Sequence, residues 1–263
     1  MNILEEIAEK TKERIEEAKR RMPLAELKAV LAERCMETDF PFTKALKKPG
    51  LSFICEVKKA SPSKGVIAVD FPYEEIAAGY EAAGADALSV LTEPFYFQGN
   101  DEYLRAIRSR VKLPILRKDF TVDEYMLYEA KAMGADAVLL ICAILSDTQL
   151  AEYAGLAKSL GLSALVETHD EEEVERALRA GAKIIGVNNR NLKDFTVDIH
   201  NSIRLRALVP RDIVFISESG IKTGRDVTAL RRNGTDAVLI GEMLMRSPNV
   251  AGTLRELRRE DAD

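Results

Sequence analysis

One motif recurs along this chain and constrains what it can fold into. Gly84-Ala85-Asp86-Ala87 runs into the aliphatic stretch Leu88–Leu91, and Gly134-Ala135-Asp136-Ala137 runs into Val138–Cys142. Gly181-Ala182-Lys183 precedes Ile184–Val187, and Gly234-Thr235-Asp236-Ala237 precedes Val238–Ile240. Each time a helical pattern stops at glycine, the residue favoured just past a helix C-terminus, and a short strand pattern begins. The glycines are spaced by roughly 50 residues, room for two strand–helix units. The missing strands are found between them as Phe53–Val57, Ile115–Lys118, Ala164–Glu167 and Ile213–Ser217.

Eight amphipathic segments separate and follow these strands. Tyr73–Ala83, Asp101–Arg110, Asp123–Met133, Asp147–Leu160, Asp170–Ala180, Ile199–Leu208, Thr223–Arg232 and Val250–Leu257 all read as helices, several opening on Asp or Thr. The strands are continuous apolar runs rather than alternating ones, as parallel strands covered by helices require. Eight strands alternating with eight helices predict an α/β fold of the (β/α)8 TIM-barrel class. An open doubly wound sheet is the competing arrangement, weakened by the absence of any Gly-x-Gly-x-x-Gly or Gly-x-x-x-x-Gly-Lys-Ser/Thr loop. The 263 residues suit a single barrel domain over 1–263. Residues 1–47 then form an N-terminal helical extension. Asn2–Met22 puts Ile3, Ile7, Thr11 and Ile15 on one helical face. Pro23 opens a second helix with Leu24, Leu27, Val30 and Leu31 inward, and Phe40-Pro41-Phe42 links it to the barrel. These helices are expected to pack on the barrel or cap its mouth, with a dimer contact as the alternative.

A net charge of −5 argues against a nucleic-acid partner, which needs a basic face. The acidic runs Glu171-Glu172-Glu173 and Glu260-Asp261-Ala262-Asp263 read as solvated surface. Cys35, Cys55 and Cys142 are odd in number and far apart, so core thiols in a reducing compartment are expected. Without a Cys-x-x-Cys, and with only His169 and His200, no metal site is expected. No uncharged apolar run approaches the roughly 20 residues a bilayer span needs, and the charged N-terminus carries no signal segment. A soluble cytoplasmic protein with no membrane partner is the expectation.

The strand ends carry the chemistry. Glu56 and Lys58 stand two apart, so they share one face of their strand. An ion pair plugging the barrel is the plainer alternative. Lys118, Glu167, Asn188 and Glu218 close four other strands. In a closed parallel barrel these groups meet at one mouth, where Lys118 can serve as acid or clamp and Glu167 as base or charge stabiliser. Arg190 can meet a carboxylate. The loop Lys59-Ala60-Ser61-Pro62-Ser63-Lys64-Gly65 is long enough to act as a mobile lid. Ser217-Glu218-Ser219-Gly220-Ile221 and Ile240-Gly241-Glu242-Met243-Leu244 follow the last two strands, where barrels often bind phosphate through backbone N–H groups. Phe95, Tyr96 and Phe97 either pack under their loop or, with Phe120, include a pair that sandwiches a flat ring. His169 reads as a surface residue at a helix start.

Taken together, these motifs resemble the indole-3-glycerol phosphate synthase family. The resemblance runs from about Phe40 to Met245. It rests most on Glu56-Val57-Lys58-Lys59-Ala60-Ser61-Pro62-Ser63, Leu116-Arg117-Lys118-Asp119-Phe120, Gly186-Val187-Asn188-Asn189-Arg190 and Ser217-Glu218-Ser219-Gly220-Ile221, with no departure at a catalytic position. It implies a cofactor-free, decarboxylating ring closure and dehydration of 1-(2-carboxyphenylamino)-1-deoxyribulose 5-phosphate. By the same resemblance Lys118 activates the carbonyl, Lys58 steers the carboxylate and serves the dehydration, Glu167 is the base or a cation stabiliser, and Glu56 orients a lysine or shares the base role; the two lysine roles are open to exchange. Asn188 and Glu218 hold the sugar and Arg190 aids the carboxylate end. Ser61, Ser219, Gly220, Gly241 and Glu242 receive the phosphate, and Phe97, Phe120 and Leu239 line the anthranilate pocket. A monomer or weak homodimer is expected. The nearest alternative is a phosphate-binding barrel of the same biosynthetic group, such as phosphoribosylanthranilate isomerase; a non-catalytic phosphate-binding barrel is a second.

Overall fold

The computed structural model describes residues 3–32, 38–191 and 195–259. Asn2, Cys35, Leu192 and the Glu260–Asp263 tail lie outside the described residues. The strands are β1 (Ser52–Val57), β2 (Ala87–Leu91), β3 (Ile115–Lys118), β4 (Ala137–Ile141), β5 (Ser163–Thr168), β6 (Ile184–Asn188), β7 (Val214–Glu218) and β8 (Ala237–Ile240). Each pairs in parallel with the next, and β8 pairs with β1, so the sheet closes as the (β/α)8 barrel that the repeat predicts.

The repeat has a structural reason. All four of its glycines take left-handed backbone, with φ of 79° to 88° at Gly84, Gly134, Gly181 and Gly234. The aspartates do a second task. Asp86, Asp136 and Asp236 each accept the first free N–H of the preceding strand, from Phe53, Ile115 and Phe215, at 2.9, 2.9 and 2.7 Å. Their own N–H groups donate back to the carbonyls of the same three residues. Each aspartate thus staples the start of one strand to the start of the next. Only the third copy lacks the staple, because Lys183 stands in its place.

Three helices precede the barrel: α1 (Ile3–Arg21), α2 (Leu24–Ala32) and α3 (Pro41–Leu46). Nine more follow within it: α4 (Tyr73–Ala82), α5 (Asp101–Arg110), α6 (Tyr125–Met133), α7 (Asp147–Ser159), α8 (Glu171–Arg179), α9 (His200–Leu205), α10 (Gly224–Asn233), α11 (Glu242–Met245) and α12 (Val250–Arg258). Asn100, Ser146, Asp170, Thr223 and Asn249 cap five of them with side-chain oxygens, satisfying N–H groups that have no partner inside the helix. The segment expected as a helix over Ile199–Leu208 tightens into a 3-10 turn at Arg206–Leu208, just ahead of Pro210. The one-turn α11 was not foreseen as a helix.

Side chains alternate between two apolar environments, which is why the strands read as unbroken hydrophobic runs. Ile54, Ala87, Leu116, Ala137, Leu165, Ile184, Ile216 and Leu239 fill the barrel interior. Phe53, Cys55, Leu88, Val90, Val138 and Val238 face the helices. Phe42 and Leu46 of α3 plug the bottom of the interior, and Leu4 and Ile7 of α1 close over its top. The extension therefore packs at both ends of the barrel. Two expectations for it need correction. Ile3 is only half-buried, while Leu4 and Ala8 join Ile7, Thr11 and Ile15 on the buried face of α1. Val30 is 46 % exposed, because α2 buries Leu27 and Leu31 and presents the face that carries Val30 to solvent.

Candidate active site

The upper ends of the strands enclose a cavity of about 600 Å³ whose wall includes every residue to which the resemblance gives a role: Glu56, Lys58, Ser61, Phe97, Lys118, Phe120, Glu167, Asn188, Arg190, Glu218, Ser219, Gly220, Leu239, Gly241 and Glu242. Period-two alternation aims Glu56, Lys118, Glu167 and Glu218 inward from four different strands. Only 2–4 % of Glu56, Glu167 and Glu218 is exposed, so the charges here are balanced against each other rather than by water.

Two lysines and three glutamates organise the mouth. Lys58 Nζ lies 2.6 Å from Glu56 Oε2. Gly241 makes room for this pair, since a Cβ there would stand 2.3 Å from Glu56 Oε2. The loop after β8 thus has a packing reason for its glycine besides any approach to phosphate. Lys118 Nζ lies 3.2 Å from Glu167 Oε2 and 3.5 Å from Glu218 Oε2, bridging β5 and β7. Burial opposes the Lys118 charge, but Glu167, Glu218 and Glu56 outweigh it and hold the ammonium above the usual lysine range. Glu167 is likewise penalised by burial, yet Lys118 and His169 nearby, with a hydrogen bond from Asn188, keep its carboxyl below the usual value. Glu218 goes the other way: burial, with Glu167 and Glu56 adding to it against Lys118, pushes it up to about 7. Near neutrality the cluster therefore presents a proton donor, an ionised base and a half-protonated acid side by side.

On the aromatic side, Glu93 is fully buried and its carboxylate accepts the N–H groups of Phe95, Tyr96 and Phe97 at 2.7–2.9 Å. This holds Phe97 toward the cavity. Phe97 and Phe120 do not form parallel walls as a sandwich would; their rings touch at a tilt of 41° with centroids 6.3 Å apart. Phe95 is 58 % exposed and takes no part in lining the cavity. The expected lid contains a small antiparallel hairpin, Ala60–Ser61 with Gly65–Val66, tied to the neighbouring loop by Ala60 N–H donating to the Phe97 carbonyl.

Opposite, Ser219 and Gly220 both take left-handed backbone, with φ of 69° and 85°. Two such residues in succession turn the chain sharply at the end of β7, and both line the cavity. Asn189 fixes the turn: its amide donates to the Ser219 carbonyl at 3.0 Å and to Ser217 Oγ at 2.9 Å. The carboxylate of Glu242 is drawn aside toward Arg246, at 3.3 Å, and Lys64, at 3.9 Å.

Several wall residues escaped the sequence reading. Lys64, Lys222 and Arg246 add positive charge beside the last two loops, and Ile3, Leu4 and Ile7 roof the cavity. The charges were visible as residues, but without alternation or repeat to place them. The amphipathic face of α1 was visible too, and capping of the mouth was one of the packings expected for it. Arg14 anchors that helix with paired 2.9 Å bonds to Asp119, the neighbour of Lys118. His169 is not a surface residue: its ring is only 17 % exposed and lies against Glu167.

The sequence profile described as indole-3-glycerol phosphate synthase matches residues 4–257. An indole-3-glycerol phosphate synthase of Ruminiclostridium cellulolyticum is 56 % identical over 256 residues, 97 % of this chain and 98 % of its own length. One from Endomicrobium trichonymphae is 55 % identical, covering 97 % and 99 %. Among solved structures, 3-hexulose-6-phosphate synthase of Salmonella typhimurium superposes with a TM-score of 0.65 at 16 % identity, over 79 % of this chain and 96 % of that one, a likeness of fold alone. A match along nearly the whole chain, at this identity, means that the chain belongs to the indole-3-glycerol phosphate synthase family.

Proposed function

We propose that the barrel mouth converts 1-(2-carboxyphenylamino)-1-deoxyribulose 5-phosphate into indole-3-glycerol phosphate, carbon dioxide and water, the activity for which the family is named. The family's members are carboxy-lyases of tryptophan biosynthesis. The observation that carries the assignment of roles is the bridging of Lys118 between Glu167 and Glu218 over an apolar barrel interior. The substrate has a phosphate, a carboxylate, a ketone and an aryl ring, and each has a complementary surface. The phosphate fits the N–H groups of the turn at Ser219 and Gly220, with Ser61, Gly241 and the Glu242 N–H on its other side and Lys222 and Arg246 at the rim. The ring fits between Phe97, Phe120, Leu239 and the Leu4–Ile7 roof, and the carboxylate faces Lys58 and Arg190.

The chemistry balances with the groups available. The ring carbon bearing the carboxylate attacks the ketone carbon, and Lys118 delivers a proton to the oxygen, giving a hydroxyl. Breaking the bond to the carboxylate releases carbon dioxide and returns the electron pair to the ring. Loss of that hydroxyl as water, protonated by Lys58, and removal of a proton from the adjacent methylene by Glu167 complete the indole. Glu56 orients Lys58, and Asn188 and Glu218 hold the sugar hydroxyls. No electron is gained or lost overall, so no redox cofactor is required. The working unit in this reading is a monomer or weak homodimer, one domain with residues 1–47 as its extension. The buried free thiols of Cys55 and Cys142 fit a cytoplasmic setting.

Lys118→Met tests the reading. Loss of a general acid lowers turnover roughly 10²–10⁴-fold. Product indole is read by fluorescence against a chain that contains no Trp. Activity within a few-fold of the parent removes Lys118 from the reaction.

A further inference from the structure

The reaction as assigned uses Lys118, Glu167 and the Glu56–Lys58 pair, and leaves one buried titratable group beside them without a task. His169 follows Glu167 by two residues, just beyond β5 and immediately before Asp170, the cap of α8. Its ring is bolted on one side only. Nδ1 lies 2.9 Å from Glu173 Oε2, the same oxygen that accepts the His169 backbone N–H at 2.8 Å. The His169 carbonyl accepts Asn201 Nδ2 at 3.0 Å, fixing the turn from β5 into α8. The other nitrogen, Nε2, is buried, has no hydrogen-bond partner and stands 3.6 Å from Glu167 Oε1. A buried polar nitrogen with no partner, turned toward one carboxylate oxygen, is an arrangement a structural histidine does not need.

We propose that His169 is a positioning residue for Glu167: its imidazolium, held by Glu173, faces Oε1 while Lys118 faces Oε2. When Lys118 turns its ammonium to the substrate ketone, His169 remains as the cation that keeps the Glu167 carboxylate oriented for the later proton abstraction. The inference rests on the role given to Glu167 above. The charges around the pair support it. Glu167 of β5, Glu173 of α8 and Glu218 of β7 face the imidazole, and Asp170, Asp198 and Arg190 line the adjoining cavity of about 430 Å³. Lys118 of β3, Glu218 of β7 and His169 itself face Glu167. Burial disfavours the imidazolium, but the hydrogen bond that its ring donates to Glu173 and the charges of Glu167, Glu173 and Glu218 outweigh it and raise His169 above its usual value.

The chain has only two histidines, and His200 is 79 % exposed, so imidazole NMR of the full chain reads His169 directly with His200 as internal reference. Replacing Glu167 by Gln removes an opposite charge and is expected to lower the His169 titration midpoint by roughly one unit or more. Lys118→Met removes a like-charged neighbour and is expected to raise it. In turnover, His169→Gln is expected to move the acid limb of the kcat profile upward by roughly one unit, with KM little changed. A His169 resonance that ignores Glu167→Gln overturns the proposal, as does an acid limb unmoved in a folded His169→Gln protein. Coupled titration in a chain that fails to make the indole product would strike the reaction assigned above and leave the pairing standing.

Discussion

Glu218 shows how a single residue takes its chemistry from its neighbours. It closes β7 in the same way that Glu167 closes β5, and both carboxylates lie within 3.5 Å of Lys118. Glu167 has His169 and an Asn188 hydrogen bond in addition, and stays ionised; Glu218 has no such help and one of its oxygens is without a partner. The consequence for stability has a definite sign. The folded protein holds the Glu218 proton up to about 7, whereas the ordinary carboxyl value is 4.5. Between those values the native state binds more protons than the unfolded one, so this residue makes stability fall as pH rises. Glu167, with its lowered value, contributes stability that is lost only at more acidic pH. Glu218→Gln removes the titration, so its melting temperature relative to the parent's is expected to climb by a few degrees between pH 5 and pH 8. Scanning calorimetry at both pH values reads this difference; a constant offset would mean that Glu218 does not titrate in that window.

At the scale of elements, α1 is the clearest case of a segment whose partner decides its meaning. Its buried face roofs the cavity, and polar ties hold it there: Arg14 to Asp119 by paired 2.9 Å bonds, Glu6 to the Tyr96 hydroxyl at 2.6 Å and Lys19 to Asp123 at 2.7 Å. Asp119 is buried and retains Thr92 and Arg117 if Arg14 is removed, so the loss is partial. Arg14→Ala is expected to cost about 2 kcal/mol in urea unfolding, the value of a hydrogen bond to a charged group. It is also expected to raise KM several-fold, because Leu4 and Ile7 lose their hold over the mouth. An unchanged KM would mean that α1 contributes stability alone.

Across the whole molecule, the barrel separates the parts that hold it together from the parts that react. Phe42 is completely buried among interior residues at the bottom, while the ionisable groups gather at the top. Phe42→Ala opens a cavity and is expected to cost about 3–5 kcal/mol, seen as a lower denaturant midpoint. In the folded fraction kcat/KM is expected to stay within a few-fold of the parent's. A large loss of kcat/KM under native conditions would show that the plug communicates with the mouth.

Much of this arrangement was legible in the residues, and the parts that were not have a common cause. The order of strands and helices, the inward aim of Glu56, Lys118, Glu167 and Glu218, and the phosphate-compatible loops after β7 and β8 all follow from local rules. Side-chain direction along a strand has period two, and glycine marks the end of a helix whatever surrounds it. What escaped was set across the barrel. The staples from Asp86, Asp136 and Asp236, the tilted contact of Phe97 with Phe120 and the burial of His169 join segments far apart in the chain. The sequence by itself determined the fold and which groups reach the mouth, because each choice rests on neighbours within a few positions. Only the tertiary structure decided which carboxylate shares which lysine and which of them keeps its proton, because those depend on distances of a few ångströms across a closed ring of strands in a medium that screens charge poorly.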